Sequence, residues 1–277
     1  YNIEDILYKN LAFALCIITG PHMNALIKFL INSLCVITRK TNYIWRINMK
    51  YEIIIFDADE TLFDFKKSEQ DALKNTMLAF NIEYDENYHL KVYKDINTAI
   101  WKELEDGLIT QKKLNVERFK RLSDKLNAEF DEMEFAQLYM KHLSNASFLY
   151  DESIDLIESL HKYYRLSIIT NGLKDVQDNR IRKSIIAKYF EDIVVSEDVK
   201  VSKPDSRIFE HALNNIKHTD KSKVLMLGDS LTSDIQGGIN FGIDTCWFNP
   251  NKIVNTLGLK PTYEISNLME LKSILKK

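Results

Sequence analysis

Residues 53–63, IIIFDADETLF, run four apolar residues straight into two aspartates separated by one alanine, Asp57 and Asp59, and then Thr61. Three more polar stops stand where other short apolar runs end: Thr170 and Asn171 after LSIIT, Asp229 after KVLML, and Lys203 in the Lys203-Pro204 loop that follows DIVVS. A buried strand that ends in a charged or hydroxyl side chain holds that group rigidly at the carboxyl end of a sheet, where open parallel sheets bind their ligands. Each piece alone has a plain structural reading, since an aspartate after a strand is commonly a helix cap and a lone Lys-Pro a turn. Their conjunction, in order and each at a strand end, points to a ligand site. Glycine usage agrees: of only 8 glycines, Gly172, Gly228, Gly237, Gly238 and Gly242 fall just after strands or in the short helix that follows one. Such positions suit tight turns and close backbone approach to a ligand.

The elements that must position these groups are legible from residue 51 onward, where short apolar strands alternate with amphipathic helices. The strand candidates are 52–56, 166–170, 192–196, 223–227 and 244–248. This alternation predicts an α/β fold, a doubly wound, Rossmann-like parallel sheet covered on both faces. Residues 66–149 break it. They read as helices over 68–80, opened by a capping-box-like Ser68/Asp71 pair, then 86–104, 111–127 and 131–146. The expected organisation is a core of 49–65 and 150–277 with an all-helical cap, 66–149, inserted after the first strand.

The first 48 residues read differently. LAFALCIIT is about half the ~20 residues a membrane span needs and is broken by Gly20-Pro21, while Glu4 and Asp5 stand where a signal peptide would carry basic residues. An upstream extension or expression-derived segment ahead of Met49 and a membrane-associating amphipathic piece are both open readings, and GPHM, resembling a tag remnant, favours the first. A net charge of -3 gives no basic excess for a phosphate backbone, so nucleic acid is not an expected partner. Cys16, Cys35 and Cys246 have no metal-ligand or disulfide spacing and read as reduced thiols of a cytoplasmic protein.

Taken together, DADET (57–61), IITNG (168–172), SKP (202–204) and GDSLTSD (228–234) resemble the four signatures of the haloacid dehalogenase (HAD) superfamily of phosphohydrolases. Within it, DADETLF, the inserted helices and GDSLTSDIQGGINFGIDTCWFN look like the YjjG-type pyrimidine 5′-nucleotidases, which share Glu60 where many relatives carry glycine. The resemblance implies Asp57 as nucleophile and Asp59 as general acid and base. Mg2+ would be held by Asp57, the Asp59 carbonyl and Asp229, with Asp234 supporting the metal loop from behind. Phosphoryl oxygens would be bound by Thr170, Asn171, Lys203 and the backbone N–H groups of Ala58 and Asp59. HAD dehalogenases expel halide, which needs no proton, and lack an acid at position 59.

The cap would close over the site and choose the leaving group. Phe63, Phe65 and Trp101 are the candidates for contacting it, although an aromatic on an amphipathic helix is more often core. The expected partner is a small phosphorylated metabolite, a nucleoside monophosphate first and a sugar phosphate as the alternative. A non-catalytic binding protein of the same fold is the third reading; the complete set of catalytic residue types speaks against it.

Overall fold

The computed structural model describes residues 49–276; the segment 1–48, with Cys16 and Cys35, lies outside the described residues. Six strands form one parallel sheet in the order β3-β2-β1-β4-β5-β6. They are β1 (Ile53–Phe56), β2 (Arg165–Thr170), β3 (Asp192–Val195), β4 (Val224–Gly228), β5 (Asp244–Phe248) and β6 (Tyr263–Ile265). β1 lies at the centre with every residue buried. That explains its unbroken apolar run: a central parallel strand is covered on both faces and has no solvent side to make polar. Ile53 and Ile55 pack with Phe209 and Ile208 of α7 (Ser206–Asn215) on one face, while Phe56, on the other, meets the edge of Phe190 with ring centroids 6.2 Å apart. Burying each such side chain is worth about 1.5–3 kcal/mol. Strand order reverses between β1 and β4, and all six carboxyl ends point the same way, so the crevice at that switch is where a ligand is expected.

Between β1 and β2 the chain forms α1 (Phe65–Ala79), α2 (Lys91–Glu105, entered through one π-helical turn Glu86–Leu90), α3 (Gln111–Leu126), α4 (Glu132–Asn145) and α5 (Asp151–Leu160). The first four of these helices build their own apolar cluster, with Phe119 as its hub: its ring centroid lies 4.9 Å from that of Tyr139 and 5.0 Å from that of Phe135. The expected Ser68/Asp71 cap is not the start of α1. Asp64 caps it instead, accepting from the Lys67 amide at 2.8 Å, and Ser68 is buried in the first turn with its hydroxyl donating to the Asp64 carbonyl.

The two connections to these helices lie side by side. Asp64 N donates to Phe148 O and Tyr150 N to Leu62 O, with Phe63 and Leu149 bridged between them. Phe63 is wholly buried in this hinge. The remaining helices named here are α6 (Lys174–Arg180) after β2, α8 (Gln236–Phe241) after β4, and α9 (Leu271–Leu275) after β6. Among the described residues no helix is long and apolar enough to cross a membrane.

Candidate active site

Asp57 follows the last residue of β1, and its amide donates to Leu227 O of β4, so the sheet itself fixes the carboxylate. The chain then turns tightly: Leu62 and Phe63 amides both donate to Ala58 O, and Glu60 N donates to Phe63 O. This turn requires a left-handed residue, and Glu60 fills it at φ 62°. A non-glycine residue there costs about 1–2 kcal/mol. Glu60 offsets it by accepting from the Lys66 amide at 2.9 Å and from the Lys66 ammonium. The turn points Asp59 into the same cavity as Asp57.

Lys203 is fully enclosed and donates to Asp57 Oδ1 at 2.5 Å and to the Ile169 carbonyl at 2.8 Å. Its backbone is clamped by Asn171, whose side chain donates to Lys203 O (2.9 Å) and accepts from Lys203 N (2.8 Å). The side-chain amide of Asn171 thus holds Lys203, and Asn171 also lines the cavity. Lys203 Nζ also lies 2.7 Å from Asp234 Oδ1, so one ammonium pairs with two buried carboxylates. The other oxygen, Oδ2, accepts from Ser230 N. Gly228 is needed here: a Cβ on it would stand 2.2 Å from Asp234 Oδ2.

Asp57, Asp229 and Asp234 offer carboxylate oxygens within 4.8 Å of one another, and Lys203 Nζ pairs with two of the three. Burial pushes the Asp57 carboxyl well above the usual carboxylate range; Lys203 pulls it down, and the charges of Asp234 and Asp229 push it up. Burial, then Asp234 and Glu60, push Asp229 up to about 7. For Lys203, burial works against the charge but Asp234 and Asp57 outweigh it, and the ammonium is held above its usual range. Three clustered carboxylates, all oxygen donors and two of them sharing one lysine, fit a hard divalent cation such as Mg2+.

Two residues that the sequence reading missed complete the site. Gln177 and Arg180, one turn apart on α6, both reach Asp59: Gln177 Nε2 donates to Oδ2 at 2.7 Å and Arg180 Nη1 to Oδ1 at 2.8 Å. Gln177 Nε2 also donates to Thr170 Oγ1 at 3.1 Å, and Gly172 leaves room for it, since a Cβ there would lie 2.1 Å from that nitrogen. Arg180 is wholly buried, donates from Nε to Ala146 O, and stands over the Phe65 ring. The only hint in the sequence is a pair of polar side chains three apart beside Val176 on a short helix.

A cavity of about 880 Å³ opens over these groups, lined below by Asp57, Asp59, Thr170, Lys203 and Asp229 and above by Phe65, Glu69, Asn97, Trp101, Arg118 and Met140. Its size lies within the ~300–1,000 Å³ of small-molecule sites. Trp101 is 40% exposed, a cavity wall rather than core. Phe63 is not in the lining, because the hinge pairing has turned it inward.

The profile of the haloacid dehalogenase-like hydrolases matches residues 54–248. The chain belongs to this family. As a haloacid dehalogenase-like hydrolase it is 36% identical to the pyrimidine 5′-nucleotidase PynA of Streptococcus pneumoniae, across 83% of this chain and 97% of that one. It is 33% identical to the pyrimidine 5′-nucleotidase YjjG of Escherichia coli, across 83% of this chain and all of that one. The solved structure of the HAD-hydrolase YfnB of Bacillus subtilis, bound to magnesium and described as revealing interdomain movement, superposes with a TM-score of 0.77 at 36% identity, covering 82% of this hydrolase and 100% of that chain.

Proposed function

We propose that this hydrolase is a Mg2+-dependent phosphatase of nucleoside 5′-monophosphates, pyrimidine nucleotides first, working through an aspartyl-phosphate on Asp57. The observation that carries the reading is that two carboxylates two residues apart enter one cavity in opposite surroundings. Asp57 sits against the Lys203 ammonium among further carboxylates, and Asp59 is held by Gln177 and Arg180 beside the helical wall. A phosphoryl group seated by Lys203 and the Thr170 hydroxyl would have Asp57 on one side of phosphorus and Asp59 on the other.

Asp57 and Asp229 carboxylates with the Asp59 carbonyl would hold Mg2+, and Asp234 would brace them through the Ser230 amide. The cation, when bound, offsets the repulsion between a carboxylate and a phosphate dianion. In the first half, an Asp57 oxygen bonds to phosphorus, the phosphorus–ester oxygen bond breaks, and the Asp59 carboxyl proton goes to the departing alkoxide. In the second, the Asp59 carboxylate takes a proton from water. The water oxygen bonds to phosphorus, the bond to Asp57 breaks, and inorganic phosphate leaves. The Arg180 ion pair suits this second half, in which Asp59 acts as the anion.

The same argument separates phosphoester from carbon–halogen hydrolysis, because an alkoxide needs the proton that a halide does not. The nucleotidase relatives and the roomy, aromatic-edged upper cavity support the nucleotide. A panel of UMP, CMP, AMP, a hexose phosphate and 2-chloropropionate, assayed with and without Mg2+, tests the reading. Mg2+-dependent phosphate release with UMP and CMP preferred is expected. A preference for the hexose phosphate would replace the nucleotide reading, and halide release would overturn the phosphatase.

A further inference from the structure

The helical wall of the cavity carries a polar group that phosphoryl chemistry does not use. Arg118 of α3 is 5% exposed, its guanidinium stacked 4.8 Å from the Phe119 ring centroid and 5.0 Å from that of Tyr139. Its hydrogen bonds are weak for so buried a charge. Nη1 donates to Tyr93 OH at 3.3 Å and to Asn97 Oδ1 at 3.4 Å, Nη2 reaches only the Met140 sulfur at 3.6 Å, and Nε has no acceptor. Among the described residues no carboxylate forms an ion pair with it. A buried cation is costly unless paired and hydrogen-bonded, and a thioether is a poor acceptor. Arg118 and Met140 both line the cavity, so a ligand oxygen could take the place of the sulfur.

The chemistry of that oxygen follows from the neighbours. Glu69 accepts from Tyr93 OH and from Asn97 Nδ2, the same two side chains whose oxygens accept from Arg118, so its acidic group stands one residue away. A second anion on the ligand would face this carboxyl, whereas a neutral carbonyl would not. A base with both carbonyl oxygen and N–H groups could use Arg118 as donor and Glu69 or Asn97 as acceptor, with the half-exposed Trp101 ring available to stack. We propose that Arg118 is the residue that selects the leaving group, taking a carbonyl oxygen of a pyrimidine base in place of the Met140 sulfur, with Trp101 as the stacking face. This rests on the nucleotidase reading and adds to it a reason for preferring uracil, thymine and cytosine, which carry a ring carbonyl, over adenine, which has none; guanine carries one too, so Arg118 sorts carbonyl-bearing bases from adenine and leaves guanine to be sorted by size.

The test compares kcat/KM for UMP, CMP, AMP and p-nitrophenyl phosphate in the parent and in Arg118→Met. The variant should lose about tenfold to a hundredfold in its UMP to p-nitrophenyl phosphate ratio, the range for one charge-assisted hydrogen bond. The loss should fall on KM more than on kcat, and the UMP to AMP ratio should drop with it. A parent that prefers UMP to AMP, with the preference intact in Arg118→Met, overturns the assignment of Arg118 and leaves the nucleotidase standing. A parent without that preference removes the nucleotidase reading and this inference with it. A second arm, independent of the folding of Arg118→Met, assays the wild-type protein with the 2-thio and 4-thio analogues of UMP. One of the two sulfur replacements should lower kcat/KM by about tenfold, sulfur being the weaker acceptor. If neither analogue differs from UMP, no base carbonyl is being read.

Discussion

Arg180 Nη1 lies 2.8 Å from Asp59 Oδ1, and Nε of the same buried guanidinium donates to Ala146 O at 3.0 Å, in the segment that leads from the last cap helix back to the sheet. One side chain therefore ties the proposed acid and base to the connection between the inserted helices and the sheet.

The first prediction concerns this hold on Asp59. Gln177→Leu and Arg180→Lys should lower kcat about tenfold to a hundredfold, a part of the ~10²–10⁴ that general acid catalysis supplies. Nitrophenolate leaves readily without a proton and nucleoside alkoxide does not, so UMP should suffer more than p-nitrophenyl phosphate. Steady-state kinetics on both esters checks this; equal losses would show that the two residues support the fold and not the proton transfer.

Mg2+ should stabilise the protein more at higher pH. A carboxyl whose folded pKa is raised from 3.8 to about 7, as for Asp229, gives stability that is full below the lower value and lost as pH rises through the upper one. The ion must displace that proton, so the Mg2+-induced rise in Tm should grow between about pH 5.5 and pH 7.5. Thermal melts with and without Mg2+ at both pH values test it, and a shift that is flat or shrinking with pH counts against the cluster as the metal site.

Gly228→Ala should act on the metal loop, since the added methyl would occupy the place of the Asp234 carboxylate. The Mg2+ concentration for half-maximal activity should rise about tenfold to a hundredfold, as when a group that orients metal ligands is lost. Titrating activity with Mg2+ measures it; unchanged activation would mean that Asp234 has no part in positioning the loop.

Trp101→Ala removes the proposed stacking face. Loss of one base-stacking ring costs about 1–3 kcal/mol, or tenfold to a hundredfold in kcat/KM. The loss should appear for UMP and be much smaller for p-nitrophenyl phosphate, and parallel losses on both would return Trp101 to a purely structural role.

What could be read from the residues follows from burial. β1 to β5 stood out because each holds a buried, mostly apolar stretch of three or more residues, whereas β6 is three residues in all with Glu264 exposed, too short and too polar to notice. The start of α1 was misplaced by one turn because Ser68 has the composition of a cap while Asp64 holds the geometry of one. Asp57, Thr170 and Asp229 could be singled out because each stands at or just after a strand end, and Asp59, Lys203 and Asp234 because they lie in the loops that follow; all six line one cavity. Gln177, Arg180 and Arg118 were not, because a polar side chain on a helix looks solvated until the fold shows that its face is covered. Of the three aromatic candidates, Phe65 and Trp101 line the cavity, whereas Phe63 is buried beneath it, because a chain pairing that turns a side chain inward leaves no mark in the residue type.

The measurement that bears most directly on the central claim is a rapid acid quench of the wild-type protein turning over UMP with Mg2+, followed by mass spectrometry of the peptide spanning 53–65. A phosphoryl group on Asp57, stable in acid and released by hydroxylamine, is predicted, with both it and turnover abolished in Asp57→Asn. An unmodified peptide at every quench time, with Asp57→Asn still turning over at the wild-type rate, would contradict the account.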